Sequence, residues 1–83
     1  MRFDIALFEL RLFRSRSQAS LAIREGAARL NGEVVKPSHG VRAGDRVTLV
    51  GKRGSRTLEI LDLPPGPLSK QGARALVREA AAE

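Results

Sequence analysis

The dipeptide Asn31-Gly32 constrains this chain more than any other feature. Asn-Gly readily adopts the two positive φ angles of a type I′ turn, and the twist of that turn matches a pair of antiparallel strands. The flanking segments Ala28-Arg29-Leu30 and Glu33-Val34-Val35 are therefore expected to form two short strands that meet there. Further on, Arg42-Ala43-Gly44-Asp45 has the composition of a turn, and Arg46-Val47-Thr48-Leu49-Val50 alternates as a third strand. Gly51-Lys52-Arg53-Gly54-Ser55 is a polar, glycine-flanked turn, after which Leu58 and Ile60 alternate with Thr57 and Glu59. A fourth strand, at the sheet edge, is the expectation.

Helical spacing frames this sheet. Phe3, Leu7 and Leu10, with Ile5 and Phe8 one position round, predict a first helix over Phe3 to Phe13. Ser15, followed three places later by Gln18, has capping-box spacing and starts a second helix with Ala19, Ala22 and Ile23 on one face. Gly26 suits the left-handed residue that ends it. Pro64-Pro65-Gly66-Pro67 reads as a stiff linker. Beyond it Ser69 can cap a last helix bearing Ala73, Leu76, Val77, Ala80 and Ala81 at helical spacing. The expected class is α+β: two N-terminal helices packed on a small antiparallel sheet, plus a short C-terminal helix. Residues 1–63 are expected to form the domain, and residues 64–83 a Pro-rich hinge and helix.

Size limits function. With 83 residues there is one core, and a domain of this length buries only roughly 60% of its unfolded surface. Cysteine is absent, which removes disulfides and thiolate metal sites. No apolar run reaches the roughly 18 residues of a membrane span, and the first residues lack a secretory signal's apolar stretch, so a cytoplasmic location is expected. The sole histidine, His39, lies in a Pro/Gly loop, and no Gly-x-Ser-x-Gly elbow or Walker spacing occurs. A non-enzymatic protein without metal or cofactor is expected.

Charge points to a partner. The net charge is +6, and twelve of the fifteen cations are arginine, whose planar fork fits phosphate oxygens. A GC-rich genome also exchanges lysine for arginine, so placement matters more than the ratio. Residues 1–56 hold twelve cations and five acids, a net +7; residues 57–83 hold three cations and four acids, a net −1. Arg11, Arg14, Arg16 and Ser17 surround the start of the second helix, with Arg2 at the front of the first. Helix N-termini offer amide donors and positive potential to phosphate, whereas cations there mildly oppose helix stability. The bland alternative is a solvated face paired with Glu9 or Glu25. With no Trp or Tyr and three Phe at core-like positions, base-stacking platforms are not expected, and recognition should read backbone and shape.

These residues, in order, resemble a known family: Arg2-Phe3-Asp4 with Leu7, Arg11-Leu12-Phe13, Arg14-Ser15-Arg16-Ser17, Ala19, Gly26, Leu30-Asn31-Gly32, Lys36-Pro37 and Val41-Arg42-Ala43-Gly44-Asp45. Together they look like the S4 RNA-binding domain, over residue 2 to about residue 50. Short length and the tail are similar to its stand-alone, ribosome-associated type, heat-shock protein 15 and RqcP. The resemblance implies an S4-type RNA-binding fold that contacts large-subunit rRNA and peptidyl-tRNA during rescue of stalled nascent chains, in ribosome-associated quality control. A monomer off the ribosome is expected. Ribosome assembly, RNA chaperoning, or service as the RNA-binding subunit of an RNA-modifying enzyme are the alternatives within the family. By position, Arg2, Arg11, Arg14, Arg16 and Ser17 match the family's RNA-facing helical residues, and Asp4 matches an acid that would orient Arg2 or Arg16. Arg29 and Lys36 would be secondary contacts, and Asn31-Gly32 a structural turn. Where the family usually has lysine after the aspartate, this chain has Ile5.

Overall fold

The computed structural model describes residues 1–80. In chain order the elements are α1 (Phe3–Glu9), α2 (Arg16–Arg24), β1 (Ala28–Leu30), β2 (Arg46–Gly51), β3 (Gly54–Ile60), α3 (Lys70–Arg74) and β4 (Val77–Ala80). The strands form one antiparallel sheet in the order β1-β2-β3-β4. Its register places Leu30, Val47 and Leu58 side by side, so one face is apolar across three strands. Phe3, Leu7 and Leu10 of the α1 segment and Ala19, Ala22 and Ile23 of α2 pack into the same buried cluster as Leu30, Val47 and Ile60. Helical spacing and strand alternation thus converge on one core.

The local signals act where the sequence places them. Ser15 caps α2 by accepting the Gln18 N–H at 3.1 Å; the reciprocal bond of a full capping box is not made among the described residues. Gly26, at φ 77°, ends α2, with its N–H on Ile23 O and the Ala27 N–H on Ala22 O. This two-bond pattern satisfies carbonyls that the last helical turn leaves open. Asn31 and Gly32 take φ 51° and 82°, the positive pair that a type I′ turn needs. Asn31 does more than turn the chain: its side chain accepts the Arg46 N–H at 2.9 Å and donates to Asp45 at 3.3 Å. That ties the turn to the start of β2.

Four expectations are corrected. The first helix ends at Glu9 rather than Phe13, because Arg11 turns left-handed (φ 61°) and the N–H groups of Arg11 and Leu12 close back onto Phe8 O and Leu7 O. Glu33-Val34-Val35 does not become a strand: it contributes one bridge, Leu30 to Glu33, and β1 takes β2 as its ladder partner instead. The helix expected through Ala80 stops at Arg74, and Val77–Ala80 pairs with β3 as β4; Ala81 lies outside the described residues. For the same reason β3 is an inner strand. An otherwise open row of β3 backbone groups is a stronger partner for this segment than an alanine-rich helical stripe is for solvent.

The segment from Pro37 to Val41 fixes the start of α1. His39 O and Pro37 O accept the N–H groups of Phe3 (2.8 Å) and Asp4 (3.1 Å), and the Val41 N–H donates to Met1 O at 2.9 Å.

Candidate nucleic-acid interface

The approach to α2 is built from a tight stop and a fresh start. Leaving α1 through the left-handed Arg11, the chain passes Leu12 and Phe13, which pack against the core, and re-enters helix at Arg16. Leu12 and Phe13 anchor this link, while Arg11, Arg14, Arg16 and Ser17 remain exposed. Of the amides that begin α2, Gln18 N–H is taken by Ser15 Oγ; those of Arg16 and Ser17 have no partner among the described residues. Two unpaired donors at the positive end of a nine-residue helix therefore sit in the same short segment as three exposed arginines. No ion pair joins these arginines to Glu9 or Glu25 among the described residues, so pairing does not account for their exposure. Arg11 is the one partly committed: its Nη1 donates to Leu68 O at 3.0 Å. The arrangement can receive phosphate oxygens through N–H donors and guanidinium forks together.

Arg2 and Asp4 form a second station at the other end of α1. Asp4 is 7% exposed and accepts Arg2 Nε at 3.1 Å and Arg2 Nη2 at 3.0 Å, as well as the Ile5 N–H at 2.8 Å. This bidentate pair selects Arg2, not Arg16, as the guanidinium that Asp4 orients. The Arg2 side chain stays 54% exposed, so its outer edge remains available. Ile5, in the place of the family's lysine, is half-buried on α1. Lys36 is exposed directly before Pro37, whose carbonyl holds the Asp4 N–H, and so lies beside this station. Arg29 is set apart from the others: its Nε donates to Gly26 O at 3.0 Å, at the C-terminal end of α2. Its anchor, Gly26, follows the last turn of α2, at the opposite end of that helix from Arg16.

Sequence reasoning missed one group of cations altogether. Arg56 of β3 and Lys70 and Arg74 of α3 line an open groove of about 760 Å³ together with Arg11 and Arg14. Nothing in the local sequence joins them, since the docking of α3 and β4 onto β3 creates the groove. Among the described residues there is no cluster of three His, Cys, Asp or Glu side chains suited to a metal ion, and no helix is long and apolar enough to cross a membrane.

Comparison with known proteins identifies the family and the fold. The family model described as S4 domain matches residues 1–47, more than half of the chain. No curated protein sequence matches it. Among solved structures, the trimeric structure of Vibrio cholerae Heat Shock Protein 15 superposes with a TM-score of 0.90 at 30% sequence identity, covering 98% of this chain and 82% of that one. The solution structure of the hypothetical protein HP1423 superposes with a TM-score of 0.82 at 28% identity, covering 100% of both chains. These likenesses extend past the family match to include α3 and β4.

Proposed function

The chain belongs to the S4 domain family, whose members bind RNA, and from that premise we propose that it is a non-enzymatic factor acting on the large ribosomal subunit. In this role it grips folded rRNA and peptidyl-tRNA while a stalled nascent chain is rescued. The observation that carries the proposal is the open N-terminus of α2, where the Arg16 and Ser17 amides stand among Arg11, Arg14 and Arg16. A polyanion with closely spaced phosphates satisfies that set, and the likeness to Heat Shock Protein 15 supports a ribosomal source for it. Arg2, held by Asp4, and Lys36 extend the contact along α1; Arg29 adds a weaker one at the far end of α2. Residues 1–63 carry the RNA contact and residues 64–83 extend it. The protein works in the cytoplasm, as a monomer when off the ribosome, and the trimer is a property of the Vibrio protein's structure.

The test is to recover the tagged protein from cells in which translation has been stalled and to quantify both subunits and peptidyl-tRNA in the eluate. Large subunit with peptidyl-tRNA and without small subunit is the expected result. Precursor particles or free RNA instead would overturn the rescue role and leave RNA binding in place. Light scattering of the purified protein checks the monomer, and a trimeric mass would contradict it.

A further inference from the structure

Residues 57–83 carry a net charge of −1, yet the fold turns their cations toward the approach to α2. Of the described acids in that segment, Glu59 lies on the outer face of the sheet with Arg78, Asp62 accepts the Leu63 N–H, and Glu79 is paired with Arg56. Lys70 and Arg74 stand one turn apart on α3, are exposed, and form no ion pair among the described residues. Both line the open groove of about 760 Å³, with Arg56 of β3 and with Arg11 and Arg14 of the link between α1 and α2. Against these five cations the lining holds one acid, Glu9. Like charges gathered in this way repel one another, and an anion in the groove relieves that repulsion.

We propose that the groove is a second phosphate-contacting surface, through which an RNA strand that meets the N-terminus of α2 continues past Arg14 to Arg56, Lys70 and Arg74. The inference rests on the RNA-binding role above and names the residues by which the C-terminal extension takes part in it. Continuity selects the occupant: Arg11 and Arg14 belong both to the approach to α2 and to the groove, so the two charged surfaces form one tract. A polyanion with charge along its whole length satisfies both parts at once, whereas a single small anion reaches only one. The frame is fixed without the ligand. β4 pairs with β3 from Thr57 to Ile60, the Leu61 N–H donates to Leu76 O at 2.7 Å, and Arg11 Nη1 holds Leu68 O at 3.0 Å. Binding therefore does not have to order the backbone that carries these cations. Lys70 and Arg74 contribute most on this side of the groove, because Arg56 already shares its Nε with Glu79.

The experiment measures, by fluorescence anisotropy at several salt concentrations, binding of the full chain to a labelled RNA hairpin flanked by single-stranded arms. The double variant Lys70→Ala/Arg74→Ala should bind about 10-fold more weakly at low salt. Its slope of log K against log salt should flatten by somewhat under ~1 for each of the two phosphates released. Its melting temperature should stay close to that of the native chain, since both positions are exposed and alanine favours a helix. Arg46→Ala/Arg78→Ala removes the same charge from the outer face of the sheet, where strand alternation places both residues, and should leave the slope unchanged. An unchanged affinity and slope in the Lys70/Arg74 variant, with Arg16→Ala still weakening binding, would overturn the groove's assignment and leave the contact at α2 intact. An equal loss in the outer-face variant would also overturn it, by showing an effect of net charge rather than of contact. If the native chain did not bind the hairpin at all, the RNA-binding role would fall, and the groove's assignment with it.

Discussion

At the start of α1 the N–H groups of Phe3 and Asp4 are held by the carbonyls of His39 and Pro37; at the start of α2 the N–H groups of Arg16 and Ser17 have no partner among the described residues. Both helices begin beside arginine, and both termini carry the positive end of a helix dipole. The difference lies in what the tertiary fold does with the donors. A loop more than thirty residues away closes α1, making its N-terminus part of the scaffold, whereas α2 starts on a short link that leaves its donors unpaired among the described residues. Charge alone therefore does not locate an anion site in this protein. The proposed site at α2 rests on charge beside unused donors.

That contrast can be broken most severely at α2. Replacing Arg14 and Arg16 together by alanine should lower affinity for a structured RNA about 100-fold at low salt, about 1.4 kcal/mol for each of two solvent-screened charge-assisted contacts. The slope of log K against log salt should flatten by somewhat under ~1 for each phosphate that the variant no longer neutralises. An unchanged slope would place the RNA elsewhere. Next in size is Asp4→Ala, which leaves Arg2 unoriented and the Ile5 N–H without its acceptor. The buried bonds make this a stability effect of about 1–3 kcal/mol in chemical denaturation, with only a several-fold loss of RNA affinity. A larger loss of affinity than that at α2 would reverse the ranking of the two termini.

Ser15→Ala removes the one side-chain cap of α2 and should cost about 1 kcal/mol of stability. Thermal melting checks it, and no shift would mean that the cap is not formed in solution. The smallest effect is expected at His39, which closes α1 through its backbone carbonyl while its ring is exposed. His39→Ala should stay within about 0.5 kcal/mol of the native stability and leave RNA affinity unchanged. A clear loss of RNA binding would show that the ring, and not only the backbone, serves the start of α1.

Much of the fold is legible in the residues, and the exceptions have physical causes. Asn31-Gly32, Ser15 with Gln18, and Gly26 act locally, through φ preference and side-chain capping, and they act where the sequence places them. The end of α1 is not legible, because its left-handed residue is Arg11, which carries none of the glycine or asparagine signature of a helix stop. Nor is β4: Leu76, Val77 and Ala80 satisfy helical spacing, but the open edge of β3 decides their conformation. Charge and spacing mark the arginines at α2 as candidates. That α1 is closed and α2 open does not show in them, since the closing carbonyls come from Pro37 and His39 across the fold. The groove cations Arg56, Lys70 and Arg74 stay hidden for a related reason, as they meet only after α3 and β4 dock.

The most direct measurement is a titration of the isotopically labelled protein with a structured RNA hairpin, following backbone amide resonances. The N–H signals of Arg16 and Ser17 should shift strongly and in a salt-dependent way, while those of Phe3 and Asp4, held by His39 and Pro37, should stay nearly still. Shifts concentrated at Phe3 and Asp4, or on the outer face of the sheet with Arg16 and Ser17 unmoved, would contradict the assignment of RNA to the N-terminus of α2.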